Sequence, residues 1–313
     1  MRSLKIILLA GILLLGFSCQ APVDYSNAIT DGHYLNQAQD RVTQVIIHDI
    51  FSPPVAARIY SYASIAAYEV AAATDPDYAS LFGQLRGSEA KAFTPSDKVY
   101  PPLAALAAYY TMGTTLIFSE EMMNEHRDAA YAELKEKGIP EEVFEASIAF
   151  GQEVAAAVKE YSSKDNYHQS RSFPKYTVSG DPGTWQPTPP AYMEGIEPHW
   201  NKIRTFVLDS AAQFKPEAPP AFSTTAGTPF YELANEVYLA AKSANEEQQN
   251  IALFWDCNPY KVNVKGHVMF ATKKITPGGH WMSIAAIASK AAGKDWKGTA
   301  EAFALTGISL NEA

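Results

Sequence analysis

The sequence predicts an all-α fold, a helical bundle crossed by a long proline-rich irregular segment. Three observations predict it. Alanine-rich stretches carry apolar residues every three or four positions, the repeat of one helix face. Prolines stand at the starts of those stretches, where a helix tolerates them. Turn dipeptides of the hairpin type do not separate alternating runs, so strands get little support. Apolar residues make up 47% and charged residues 19%, a balance that buries a core and excludes disorder for most of the chain.

Residues 1–18 read as an export signal rather than part of the fold. Arg2 and Lys5 precede an apolar run from Ile6 to Leu15, and Gly16-Phe17-Ser18-Cys19 forms a small-residue exit. The run is too short for a permanent membrane span. Its Cys19 exit is similar to a bacterial lipoprotein signal, in which the cysteine is acylated and anchors an exported domain to a membrane face. Plain secretion with an incidental cysteine is the alternative. Residues 19–36 are polar with few apolar anchors and read as a tether, leaving 37–313 for the folded part.

Ser52-Pro53-Pro54 starts the first clear helix, with Ser52 as cap, and Asp75-Pro76 stops it. Pro101-Pro102 opens a second, to about Phe118. A third covers about Ser119–Lys137 and closes at Gly138, and Pro140 opens a fourth. In the fourth, Val143, Phe144, Ile148, Gly151, Val154, Ala155, Val158 and Tyr161 trace the clearest amphipathic stripe of the chain. From Lys164 to Pro229 prolines interrupt every regular pattern, yet Trp185, Tyr192, Trp200 and Phe206 lie among them. So many large rings predict an ordered wrap over the core rather than a linker. Helices resume at about Phe230–Ser243, Ala244–Trp255 and Pro277–Ala292, the last stopped by Gly293. A final helix starts near Asp295.

The formal charge is −9, from 34 acidic and 25 basic residues, with no basic cluster, so nucleic acid is an unsuitable partner. Cys19 and Cys257 cannot build a disulfide framework. No HExxH, CxxC, GxGxxG, GxxxxGK[ST], GxSxG or DxDxDG occurs, so no divalent metal is expected. The adjacent pairs His48-Asp49 and Glu125-His126 read as surface residues.

One region stands out. Phe254-Trp255-Asp256-Cys257-Asn258-Pro259 puts a carboxylate behind two rings, so Asp256 is expected at least partly buried and in need of a cationic partner. Thr276-Pro277-Gly278-Gly279-His280-Trp281 opens a helix with a Thr cap, and the N–H groups and dipole of such an end attract anions. His280 falls in its first turn, on the face of Ile284 and Ile287. The plainer alternative is a satisfied core histidine beside a capping carboxylate.

Five segments in order carry a family resemblance. They are Gly183-Thr184-Trp185-Gln186-Pro187-Thr188-Pro189-Pro190, then Glu197-Pro198-His199-Trp200, Pro229-Phe230-Tyr231, Ile251-Ala252-Leu253-Phe254-Trp255-Asp256 and Gly279-His280-Trp281. From about Val42 onward the chain resembles the vanadium-dependent haloperoxidase branch of the type 2 phosphatidic acid phosphatase superfamily, particularly its bacterial lipoproteins. The resemblance implies an α-helical bundle and a phosphate-like oxyanion held by Lys and Arg. It implies action on phosphate esters or, with vanadate, on peroxide and halide. It also implies that Asp256 orients an oxyanion-binding arginine, and that His280 belongs to the same site.

The family's Lys…Arg-Pro, Ser-Gly-His and Ser-Arg…Gly…His blocks do not occur in these 313 residues, and Ala302–Ala313 resembles the helix leading up to that lysine. The expectation is an N-terminal portion, inactive alone, of an exported, membrane-anchored lipoprotein enzyme on the periplasmic or cell-surface side. A scaffold kept without the catalytic half is the alternative. A reading from another class is a helical glycan-binding surface lipoprotein, with Trp185, Tyr192 and Trp200 stacking on sugars.

Overall fold

A computed structural model describes residues 24–189, 191–256, 258–265 and 267–313. The signal at 1–18, Cys19 and Cys257 lie outside the described residues. The described helices are α1 (His33–Asp49), α2 (Pro53–Thr74), α3 (Pro101–Thr115), α4 (Glu120–Glu136), α5 (Glu141–Ser163) and α6 (Tyr167–Ser170). After them come α7 (Pro229–Ser243), α8 (Glu246–Phe254), α9 (Pro277–Ala291) and α10 (Trp296–Glu312). The fold is all-α, as the sequence predicts. None of these helices is long and apolar enough to cross a membrane.

α2 is the axis of the bundle. Every residue from Val55 to Ala71 is buried, so the helix is packed on all sides and shows no polar face. Its start and stop follow the proline signals. Ser52 occupies the cap position, but its side chain makes no capping bond, and Pro54 removes one of the two N–H groups that such a cap serves. α3 is likewise apolar all round and lies against α2. α5 meets α3 through Gly151, where a Cβ would sit 2.4 Å from the Ala104 carbonyl oxygen. α10 meets α2 through Gly307, beside which Ser61 Oγ lies 2.6 Å from the Gly307 carbonyl. Small residues thus set two close helix crossings. α4 packs on α1 and α3.

The tether expectation is corrected for residues 25–36. Tyr25 packs edge-on against Tyr100 at 5.7 Å, Ile29 is buried, and α1 begins at His33 with Tyr34 and Leu35 in the core. Polar residues at core positions hid this helix. Gln39 is buried because it donates to Thr43 Oγ1, which in turn bonds the Tyr60 hydroxyl.

One pair of strands forms where the sequence gives strands little support. Tyr260–Lys265 and Val268–Lys273 pair antiparallel, with Lys265 opposite Val268 and Tyr260 opposite Lys273. Val262 and Val264 alternate with polar residues, a period-2 pattern too short to register against the surrounding helices.

The proline-rich segment is ordered and irregular, with a 3-10 turn at Trp200–Lys202. Phe206 anchors it, buried beside the rings of Tyr62 at 5.2 Å and Tyr161 at 6.3 Å. Glu312, at the end of α10, accepts the backbone N–H groups of Phe206 and Leu208. A buried polar cluster holds the start of the segment. Asp165 accepts from Arg58 Nε at 2.6 Å, from the Tyr62 hydroxyl at 3.0 Å and from Tyr167 N at 2.9 Å. In contrast, α7 and α8 bury none of their described side chains.

Candidate functional site

The hairpin brings together the two segments that the sequence singles out. α8 ends at Phe254, closed at its start by a reciprocal capping box between Asn245 and Gln248. Trp255 and Asp256 follow, the strands run out and back, and Lys274 returns beside them with its N–H bonded to Pro259 O at 2.7 Å. Lys274 Nζ donates to Asp256 Oδ2 at 2.5 Å, and Asn258 N donates to Oδ1 at 3.2 Å. Hydrogen bonding from Lys274 and then from the Asn258 backbone holds the Asp256 carboxyl below the usual aspartate range.

Asp256 is partly buried, as expected, at 32% exposure. The shielding expected from its neighbours is corrected, because Phe254 and Trp255 are both largely exposed. Its cationic partner among the described residues is a lysine 18 positions on, which sequence reasoning missed. The only signal was Lys273-Lys274 just ahead of the Thr276 cap.

Thr276 caps α9 as expected. Its Oγ1 accepts from Gly279 N at 3.1 Å, and its carbonyl accepts from His280 N at 3.0 Å. Gly278 and Gly279 lie on Tyr60, and a Cβ at Gly279 would come 2.9 Å from its hydroxyl. These glycines let the start of α9 settle on α2. His280 lies in the first turn, its ring 5.8 Å from Trp255 and 6.3 Å from Phe254. The structure therefore brings His280, Trp255 and Asp256 into one neighbourhood. The hairpin is tied to α1 by Lys273, whose Nζ donates to the His48 carbonyl.

Both adjacent pairs expected at the surface are corrected in one member. Asp49 has only 4% of its side chain exposed and accepts Phe118 N and Ser119 N, each at 3.0 Å, at the head of α4. Burial disfavours its charge, but bonds from Ser119, His48 and Phe118 outweigh that and lower its pKa. His126 is half-buried and bonds the Tyr110 hydroxyl at 2.7 Å, its basicity lowered by burial and then by Arg41.

No family model and no curated protein matches the chain. Among solved structures it is similar to a bacterial vanadium-dependent iodoperoxidase, at 46% identity and a TM-score of 0.81, over 91% of this chain and 67% of that one. The chain belongs to the vanadium-dependent haloperoxidase family. The ordered motifs from Trp185 to Trp281 and the helical fold agree with that membership.

Vanadate, the group the haloperoxidase family implies, spreads negative charge over several oxygens and needs several cationic or N–H donors around it. The described residues at Asp256 and His280 do not assemble such a set. Lys274 is engaged by Asp256, and the first-turn N–H groups of Gly279 and His280 are bonded to Thr276. No group of three or more potential metal ligands occurs among the described residues. In this haloperoxidase chain the neighbourhood is a carboxylate–lysine pair and an imidazole beside one indole and one phenyl ring, which does not hold an oxyanion alone.

Proposed function

We propose that this chain is the helical frame of an exported vanadium-dependent haloperoxidase, acting with vanadate on peroxide and halide. The observation that carries the reading is the 46% identity with an iodoperoxidase over 91% of the chain. Because the described residues do not form an oxyanion cradle, the arginine and lysine donors would come from a longer polypeptide, in a region corresponding to the third of the iodoperoxidase left unmatched. In that assembly Asp256 exchanges Lys274 for an arginine and orients its guanidinium toward the oxyanion, with His280 at the rim. Cys19 carries the acyl anchor and places the enzyme on the outer side of a membrane.

The test compares this chain with its genomic extension for vanadate-dependent iodide oxidation. The extended polypeptide is expected to turn over iodide only with vanadate, and this chain alone is expected to be inactive. Vanadate-dependent turnover by this chain alone would overturn the division of labour. Phosphomonoester hydrolysis without iodide oxidation by the extended form would move the reading to a phosphatase. A mature mass lacking an acyl addition at Cys19 would remove the anchor.

A further inference from the structure

The proline-rich segment, which has no chemical role in the reading above, lines a cleft that Pro53, Asn258 and Pro259 complete on one side. Two hollows of 410 Å³ and 740 Å³ share a wall formed by Tyr176, Trp185, Glu194, Gly195 and Pro198. Volumes of that size suit a small ligand. Trp185 and Tyr192 are about half exposed, whereas Phe206 of the same segment is buried. The Trp185 ring does not lie loose. Tyr176 meets it edge-on at 5.5 Å and donates its hydroxyl to the Trp185 carbonyl at 3.3 Å.

The wall is anchored to the core. Arg171 holds Glu197 through both terminal guanidinium nitrogens and stacks 4.5 Å over the Tyr167 ring, on which Arg58 also stacks, at 4.4 Å. His199 Nε2 lies 2.6 Å from the Pro174 carbonyl. Tyr192 and Glu197 both hold left-handed backbones, at φ 49° and 48°, although neither is glycine. Such conformations cost energy and cluster at ligand clamps. Here they turn out the Tyr192 ring and aim Glu197 at Arg171.

The charges of the cleft cancel within it. Arg171 is paired with Glu197, and Lys175 with Glu194 at 2.8 Å. A charged ligand would find no counter-charge and would have to break a pair. What remains is a set of aromatic platforms bordered by hydrogen-bonding groups. That combination matches a ring with C–H faces and a hydroxyl rim, because aromatic faces carry negative potential that attracts polarised C–H groups. We propose that this cleft is a binding site for neutral saccharide, with Trp185 and Tyr192 as the stacking platforms. Trp200 takes no part, since it packs on Tyr167. The site would hold the protein on a polysaccharide.

The test is affinity electrophoresis of the full chain through gels containing laminarin, xyloglucan, galactomannan or starch, with alginate as the anionic control. At least one neutral polymer is expected to retard the chain, with no loss on adding salt. Trp185→Ala and Tyr192→Ala should each weaken retardation about tenfold, the scale of one aromatic contact. Trp185→Phe should recover part of it, and Tyr238→Ala, on α7, should leave it unchanged. Unaltered far-UV spectra would show that the variants fold. Passage unretarded through all four neutral gels, equal retardation of both alanine variants, or retardation by alginate alone that salt abolishes would each overturn the proposal.

Discussion

Arg58 and Asp165 form an ion pair of 2.6 Å between α2 and the end of α5, with side chains 5% and 1% exposed. Around it stand the Tyr62 hydroxyl, the Ser162 carbonyl 3.2 Å from Arg58 Nη2, and Arg204, whose N–H bonds the Asp165 carbonyl. The Asp165 carboxylate thus joins α2 to the start of the proline-rich segment. Removing one partner leaves a buried charge uncompensated. Arg58→Met should therefore cost about 3–5 kcal/mol in urea unfolding, while Arg58→Met with Asp165→Leu should recover part of the loss. Limited proteolysis between Ser170 and Trp200 should accelerate in the single variant. A loss below about 1 kcal/mol, the level of an exposed pair, would deny the cluster its role.

Glu69 gives the fold a pH dependence of known sign. It is fully enclosed in α2, where Ser80 Oγ and Leu81 N donate to its carboxylate at 2.7 Å each. Burial raises its pKa above the ordinary 4.5, against the opposing pull of those hydrogen bonds. A raised folded pKa means that the folded state binds the proton more tightly than the unfolded chain. Stability from this residue is thus present below pH 4.5 and lost as pH rises through the folded pKa. Glu69→Gln should remove that part of the slope, so that the two melting curves separate in favour of Gln as pH rises. Parallel melting temperatures from acid to neutral pH would show that Glu69 is not the titrating group.

Gly151 tests the close crossing of α5 and α3. A methyl group there would meet the Ala104 carbonyl oxygen at 2.4 Å and Ala107 Cβ at 2.8 Å. Gly151→Ala gains about 1 kcal/mol of helix propensity on its own helix. Overpacking a tight contact costs roughly 1–3 kcal/mol, and backbone cannot yield as a flexible side chain would. The net result should be destabilisation, read by denaturant titration. A stabilised variant would mean that the two helices can separate without cost.

How much of this could be read in the sequence depended on whether a feature was local. The α5 stripe from Val143 to Tyr161 was legible because period and burial coincide. The ends of α2 were legible because Pro53 and Asp75-Pro76 act on adjacent backbone. α1 escaped because Gln39 and Thr43 fill core positions and satisfy each other across one turn. The hairpin escaped because six residues per strand give two or three alternations. At the site, the Thr276 cap was local and legible, and the family resemblance rested on motif order. Lys274 was not legible, since it reaches Asp256 only after the chain has made the hairpin. Arg58 and Asp165 bond across 107 residues and carry no sequence mark, while Asp49, visible only as a neighbour of His48, reads as a surface residue because its partner Ser119 lies 70 residues on.

Asp256 and Lys274 should be separable by structure and function. Both side chains keep about a third of their surface in water, so the pair is screened and weakly stabilising. Asp256→Ala should leave the melting temperature of this chain within error. In the extended polypeptide the same substitution should weaken vanadate binding by calorimetry, because the arginine loses the group that orients it, and Asp256→Asn should weaken it less. A large fall in melting temperature of this chain would instead make the carboxylate a structural clamp between α8 and the hairpin exit.

The exposed face of α7 and α8 predicts association. Neither helix buries a described residue, and Leu233, Val237, Leu239, Ile251, Leu253 and Phe254 all stand more than half in water. Soluble monomers rarely expose many large apolar side chains on neighbouring helices, and such exposure marks an interface. Such side chains gain by leaving water, at roughly 25 cal/mol for each Å² covered, so two copies can cover each other at high concentration. Sedimentation velocity over a wide range of protein concentration should show a weight-average mass that rises with concentration. Val237→Ser combined with Leu253→Ser should lower that rise. Their melting temperature should stay near that of the parent, because side chains already exposed contribute little to folding. A mass independent of concentration in both proteins would mean that the face does not self-associate. A large drop in melting temperature would mean that Val237 and Leu253 are buried in solution by elements that the fold leaves apart.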